Sequence, residues 1–137
     1  MENMTFNKNT PSIIYLKDDQ IFTYGNTAYG LIYLKTTKKK IWSKWSRRCF
    51  FLTNKSISFW KQRKNRREKI KKIFFSSYFN LSGLENVLEY DNNYLTFDIL
   101  YNEKDCTKKY TFKSYNIGLF SYIYQIIDRN MKNTYRD

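Results

Sequence analysis

The chain has 137 residues and a net charge of +13, with 42% hydrophobic and 20% aromatic residues. This length supports one domain around a single core and not two, and the aromatic content argues against a mostly disordered chain. Four Gly and one Pro exclude collagen-like and linker-like readings, and the absence of His removes the commonest catalytic base and metal ligand.

Residues 1–27 are polar and Asn/Thr-rich except for Ile13 to Leu16 and Ile21 to Tyr24, which flank Lys17-Asp18-Asp19-Gln20. They form an N-terminal extension, either an added hairpin or a loosely attached arm, and the sequence leaves both open. From residue 28 the pattern sharpens. Tyr29 to Lys35 is β-prone, Thr36 to Lys40 is a basic break, and Trp45 to Thr53 is β-prone again. Asn54-Lys55-Ser56 predicts a tight turn and Ile57 to Lys61 a third strand, so an antiparallel meander is expected. Gln62 to Lys72 is dense enough in charge to predict a loop. One or two strands follow over Ile73 to Leu88, with Gly83 as a break.

Tyr94, Thr96 and Asp98 alternate with Leu95, Phe97 and Ile99, the period of two that marks a half-buried strand. After a polar turn over Asn102 to Thr107, Tyr110 and Phe112 share one face of a last strand. The period then changes. Ile117, Phe120, Tyr124, Ile127 and Met131 are spaced three, four, three and four, which predicts a helix with one apolar side. Ser114 or Asn116 can cap its start, and Arg129 and Lys132 suit the negative end of its dipole.

The charge is concentrated. Residues 1–34 hold 2 basic and 3 acidic groups, residues 35–72 hold 16 and 1, and residues 73–137 hold 7 and 8. A coding bias toward Lys and Asn would spread lysine along the chain, and it does not account for a lone Glu68 among sixteen cations. Like charges packed this densely repel unless a polyanion relieves them, so a basic patch for an anionic partner is expected. That partner is a lipid surface or a nucleic acid. No run approaches the roughly 18 apolar residues of a membrane span, so any membrane contact is peripheral. The opening MENMTF leads into no apolar stretch and predicts no secretory signal, and Cys49 and Cys106 form no C-x-x-C pair. Reduced thiols and a cytoplasmic location follow as expectations.

Several segments, in order, resemble the pleckstrin homology (PH) family. Gly30-Leu31-Ile32-Tyr33-Leu34-Lys35 resembles its opening Gly-x-Leu-x-x-Lys, with Ile32 in the Leu place. Trp45 to Leu52 resembles Trp-x-x-Arg-x-Phe-x-Leu, and Ile57-Ser58-Phe59-Trp60 sits where the family has an apolar residue, a spacer and two aromatics. Phe79-Asn80-Leu81-Ser82-Gly83 is similar to Ile-x-Leu-x-Gly, and the closing helix is the fifth piece. The resemblance spans about residues 28–131. Phe120 stands where the family usually carries Trp, and Ser46 stands at the first basic position of the family's second strand. The resemblance implies an α+β, mainly β fold: a PH-like, partly open barrel of about seven antiparallel strands with one C-terminal amphipathic helix, over residues 28–133. It also implies Lys35 and Arg48 as inner phosphate contacts.

Alternation places Ser46, Arg48, Phe50 and Leu52 on one face, so Arg48 emerges at the rim beyond two core hydrophobes and can donate a fork of N–H groups to a phosphate. In a PH-like meander the loops carrying Lys38, Lys39, Lys40 and Lys44, and Lys61, Arg63 and Lys64, border one opening; with Lys35, Arg47 and Arg48 these make the expected headgroup site. Ile41 and Trp42 can enter the lipid interface from the first loop, or Trp42 can pack on the barrel wall. Peripheral binding of acidic phospholipids, phosphoinositide headgroups above all, is the expected function. An acidic protein partner is the alternative. Nucleic acid is disfavoured because no RNA-recognition, KH or zinc-finger signature is present. No cofactor or metal is expected. The chain is not expected to be an enzyme, since Asp18-Asp19 suits a turn, Glu85, Glu89 and Asp91 lack a partner nucleophile, and Cys49 alternates to the face opposite Arg48 as a small buried hydrophobe.

Overall fold

The computed structural model describes residues 16–37, 44–61, 71–75, 79–103 and 106–134. Its elements are β1 (Ile21–Tyr24), β2 (Thr27–Thr37), β3 (Ser46–Leu52), β4 (Ser56–Trp60), β5 (Lys71–Phe74), β6 (Phe79–Leu81), β7 (Glu85–Glu89), β8 (Asn92–Glu103), β9 (Cys106–Ser114) and α1 (Ile117–Thr134). All strand pairs are antiparallel within one sheet, in the order β5-β4-β3-β2-β9-β8-β6, with β1 beside β2 and β7 beside β8. Seven strands make the main path. The expected PH-like, partly open barrel with a C-terminal helix is the observed fold class.

Two long strands turn the corners. β2 pairs with β3 along one edge and divides its other edge between β1, at Thr27 to Gly30, and β9, at Tyr33 to Thr37. β8 pairs with β9 and divides its far edge between β7 and β6. Among the described residues β5 and β6 are each paired on one side only, which leaves the barrel open along a seam.

The apolar faces of the strands meet inside. Phe97 lies at the centre, with ring centroids 5.2 Å from Phe112, 5.2 Å from Phe120 and 5.3 Å from Tyr124, and Phe59 packs edge-on against Tyr110 and Phe112. Offset and edge-to-face arrangements of this kind are the ones that aromatic quadrupoles favour. From α1, Phe120, Ile123, Ile126 and Ile127 are all buried. The helix face is therefore rotated slightly from the expected one: Ile117, in the first turn, is 39% exposed, while Ile123 and Ile126 join the core. Phe120, standing in the Trp position of the resemblance, is fully buried.

The N-terminal segment is built into the barrel from residue 17 onward. Ile21 is part of the core, and β1 pairs with β2; of the other half of the expected hairpin, Ile13 to Leu16, only Leu16 is among the described residues, and it lies in no strand. The Asp19 carboxylate accepts hydrogen bonds from Ser114 Oγ (3.0 Å) and from the Tyr115 amide (2.8 Å), and the Asp19 carbonyl accepts one from Asn116 Nδ2 (3.0 Å). Asn116 is the helix cap, its Oδ1 accepting from the Leu119 amide at 3.4 Å, while Ser114 Oγ accepts from the Asn116 amide. At the other end of the helix, Asn130 Nδ2 donates to the Thr53 carbonyl beside the β3–β4 turn. Lys71 and Lys72, expected in the charged loop, are in strand β5, because Ile73 and Phe75 anchor that strand in the core.

Gly30 has a steric reason. The Leu31 amide donates to the Gln20 carbonyl, and this crossing brings the backbone of residues 20–21 so close to Gly30 that a Cβ there would overlap the Gln20 oxygen and lie 2.8 Å from Ile21 Cα. Both neighbours are backbone and cannot swing away. Gly30→Ala is therefore expected to lower stability by about 1–3 kcal/mol, as overpacking does, read as a fall in the urea midpoint at unchanged slope.

Candidate anion-binding cleft

The inward-facing rows of the sheet change character at one end of the barrel. In β3, Leu52 and Phe50 are buried, and the next two residues on that face are Arg48 and Ser46. In β4, Ile57 and Phe59 lead to Lys61, and in β5, Phe75 and Ile73 lead back to Lys71. In β2, Ile32 and Leu34 lead to Thr36. The register aligns these rows: Phe50 opposes Phe59, Phe59 opposes Lys71, and Leu34 opposes Ser46.

The result is a cleft of about 480 Å³ lined by Leu34, Thr36, Lys44, Ser46, Arg48, Phe59, Trp60, Lys61, Lys71 and Tyr110. Four cations from three strands and their flanks surround a floor of Leu34, Phe59 and Tyr110, and no carboxylate is among the described lining residues. Arg48 is half-buried, and its Nη1 donates to the Arg47 carbonyl at 2.8 Å, which holds the guanidinium near the backbone. The Lys71 ammonium lies 5.8 Å from the Tyr101 ring, across the open seam. Such a cleft offers point charges, one planar fork of donors and three hydroxyls, a set suited to a phosphorylated polar ligand.

Of the residues expected at the site, Lys44, Arg48 and Lys61 are brought together here. Lys38, Lys39, Lys40, Ile41, Trp42, Arg63 and Lys64 lie outside the described residues. Lys35 and Arg47 are not in the cleft. Both point to the outer wall, because residues of opposite parity to Leu34 and Arg48 face outward. There the Lys35 ammonium sits 4.9 Å over the Trp45 ring, and Arg47 Nη1 donates to Asp18 Oδ1 at 3.0 Å. That bond with Arg47 holds the Asp18 carboxyl below its usual range. On the same wall burial, with the Asp18 hydrogen bond second, pushes the Tyr33 hydroxyl up to about 12. Lys71 was missed because the charge density of Gln62 to Lys72 masks the alternation Phe75, Ile73, Lys71, the signal that could have found it.

Among the described residues no group of three Cys, Asp or Glu is placed to hold a metal ion, and no helix is long and apolar enough to cross a membrane. Comparison of the chain with protein-family models and with curated proteins finds no match.

Cys49, between the cleft residues Arg48 and Phe50 in sequence, faces the other way and is 4% exposed. Burial pushes its thiol up to about 11, so the thiolate that reacts with disulfide reagents is scarce at neutral pH and grows only as the pH approaches that value. In a Cys106→Ser background, Cys49 is expected to resist a thiol-reactive dye at pH 8 in buffer and to label at once in denaturant. Rapid labelling of the folded protein would contradict its placement.

Proposed function

We propose that this chain is a PH-like domain that binds acidic phospholipids, phosphoinositide headgroups first among them, and is thereby recruited as a peripheral protein to a cytoplasmic membrane surface. The observation that carries this reading is the convergence of Lys44, Arg48, Lys61 and Lys71 on one open cleft with no lining carboxylate. Like charges gathered in one cleft repel one another, and an anionic ligand relieves that repulsion. Each Lys or Arg close to an anionic bilayer contributes about 1 kcal/mol. β2 and β4 both end beside the cleft, at Thr37 and Trp60, and the sequence that follows each is basic. The cleft is concave and its floor partly apolar, which favours a compact headgroup over a linear nucleic acid strand, whose bases would need an exposed aromatic row on which to stack.

Arg48→Ala is expected to lower binding to vesicles of phosphatidylcholine containing phosphatidylinositol bisphosphate by about tenfold, the loss typical of a charge-assisted hydrogen bond. Lys72→Ala removes the same charge from the opposite face of β5, where the Lys72 ammonium lies 5.7 Å over the Phe74 ring, and is expected to cost much less. Equal small losses in a vesicle pulldown would reduce the cleft to diffuse attraction and overturn the reading. Binding is also expected to weaken as salt rises, because much of it is carried by exposed charge. An oligonucleotide bound more tightly than the vesicles at matched ionic strength would assign the cleft to nucleic acid instead.

A further inference from the structure

Lys113 is a buried cation surrounded by aromatic rings. Its side chain lies on the outer wall, since its neighbour Phe112 faces the core, and the residue is only 7% exposed. Its ammonium lies 4.5 Å from the centroids of Trp45 and Tyr94, 5.2 Å from Tyr115 and 5.5 Å from Tyr33. Tyr115 meets both Tyr33 and Tyr94 edge-on, at 6.0 and 5.5 Å, so the rings brace one another. No carboxylate among the described residues pairs with Lys113, and the π faces stabilise its charge in place of water.

Two rings of this group lie outside the strands: Tyr115, whose amide is tied to Asp19 Oδ1, and Trp45. The β2–β3 register ends at Leu34 opposite Ser46, so Trp45 and Lys44 lie one and two residues beyond the last backbone pair. Two ammonium groups address the Trp45 indole instead: Lys113 at 4.5 Å and Lys35 at 4.9 Å. Lys44, the next residue, faces inward and lines the cleft. We infer that Lys113 and Lys35 are positioning residues for the cleft: by clasping Trp45 to the outer wall they fix Lys44 at the cleft mouth. This deepens the proposed function and rests on it for its binding consequence. It also gives Lys35 a role that does not require phosphate contact.

The test uses the full chain labelled with nitrogen-15. The indole signal of Trp45, assigned with Trp45→Phe, and the backbone amide of Lys44 report order without any ligand. Binding is then measured to phosphatidylcholine vesicles containing phosphatidylinositol bisphosphate. Lys113→Met keeps the length and apolar stem but removes the charge. It is expected to loosen both signals and to weaken vesicle binding about three- to tenfold, the range a partly desolvated cation–π contact supports. Lys113→Arg, which retains the charge over the rings, is expected to restore both. Lys109→Met removes the same charge from an exposed site on the same strand and is expected to leave both signals unchanged.

An ordered Lys44 amide in both Lys113→Met and Lys35→Met overturns the inference, as does loosening of Lys44 with unchanged vesicle affinity. Should Lys113→Met fail to fold, Lys35→Met decides, because Lys35 is only half-buried and leaves the Lys113 cage intact. Should the unaltered protein bind no vesicles, the proposed function fails, while the Lys44 amide still passes or fails the clasp by itself.

Discussion

The structure depends on one constraint: in a strand the side chains of one face form a single row, and a barrel plugged by one helix can bury only part of each row. Helix α1 starts where β9 ends at Ser114, whereas the cleft opens where β2 reaches Thr36 opposite Tyr110. Near the helix the inward rows carry Phe50, Leu52, Ile57, Ile73 and Phe112, whose removal from water drives folding at roughly 25 cal/mol for each Å² buried. Past the reach of that core the same rows meet solvent, and the residues become Ser46, Arg48, Lys61 and Lys71. The cleft is the wet end of the hydrophobic core, and its cations are held by the strands that the core holds.

The outer wall uses the other parity of the same strands for a different purpose. Lys35 and Lys113 lie there against aromatic rings, and Arg47 pairs with Asp18. Asp18 and Arg47 are both well exposed, so the direct contribution of that pair to stability is small. Its place is more telling than its strength, because it ties the segment before β1 to the strand that carries Arg48. Asp19, one residue on, ties the same segment to the helix cap. Two adjacent acidic residues thus join the N-terminal segment to two elements far away in sequence.

How much of this the sequence carries follows from which signals are local. The alternation along β8 and the change of period at α1 depend only on neighbouring residues, and both are legible, as is the opposite parity of Arg48 and Cys49. Lys35 shows where motif position and physics diverge: the resemblance aligns it with a phosphate-contacting lysine, but Ile32 and Leu34 are core residues, so period two alone already turns Lys35 outward. Lys71 was hidden because composition suggested a loop, while burial of Ile73 and Phe75 overrides composition. The Lys113 cage and the Asp19 contacts join residues that only the folded register brings together, and no spacing rule anticipates them. Gly30 is intermediate: its place in the motif is plain, and its cause, the backbone of Gln20 crossing over it, is not.

The hydrogen bond from Ser114 Oγ to Asp19 closes a loop of 95 residues. Closing so long a loop carries an entropic cost that must be met before the contacts it permits can repay it, and topologies rich in distant contacts fold slowly. Phe120, the ring that α1 lays on Phe97, comes later still in the chain. Strand β9, which joins β2 to β8, and the helix that follows it are the last elements in chain order, so during synthesis the two halves of the sheet emerge before the pieces that unite them and seal their shared interior.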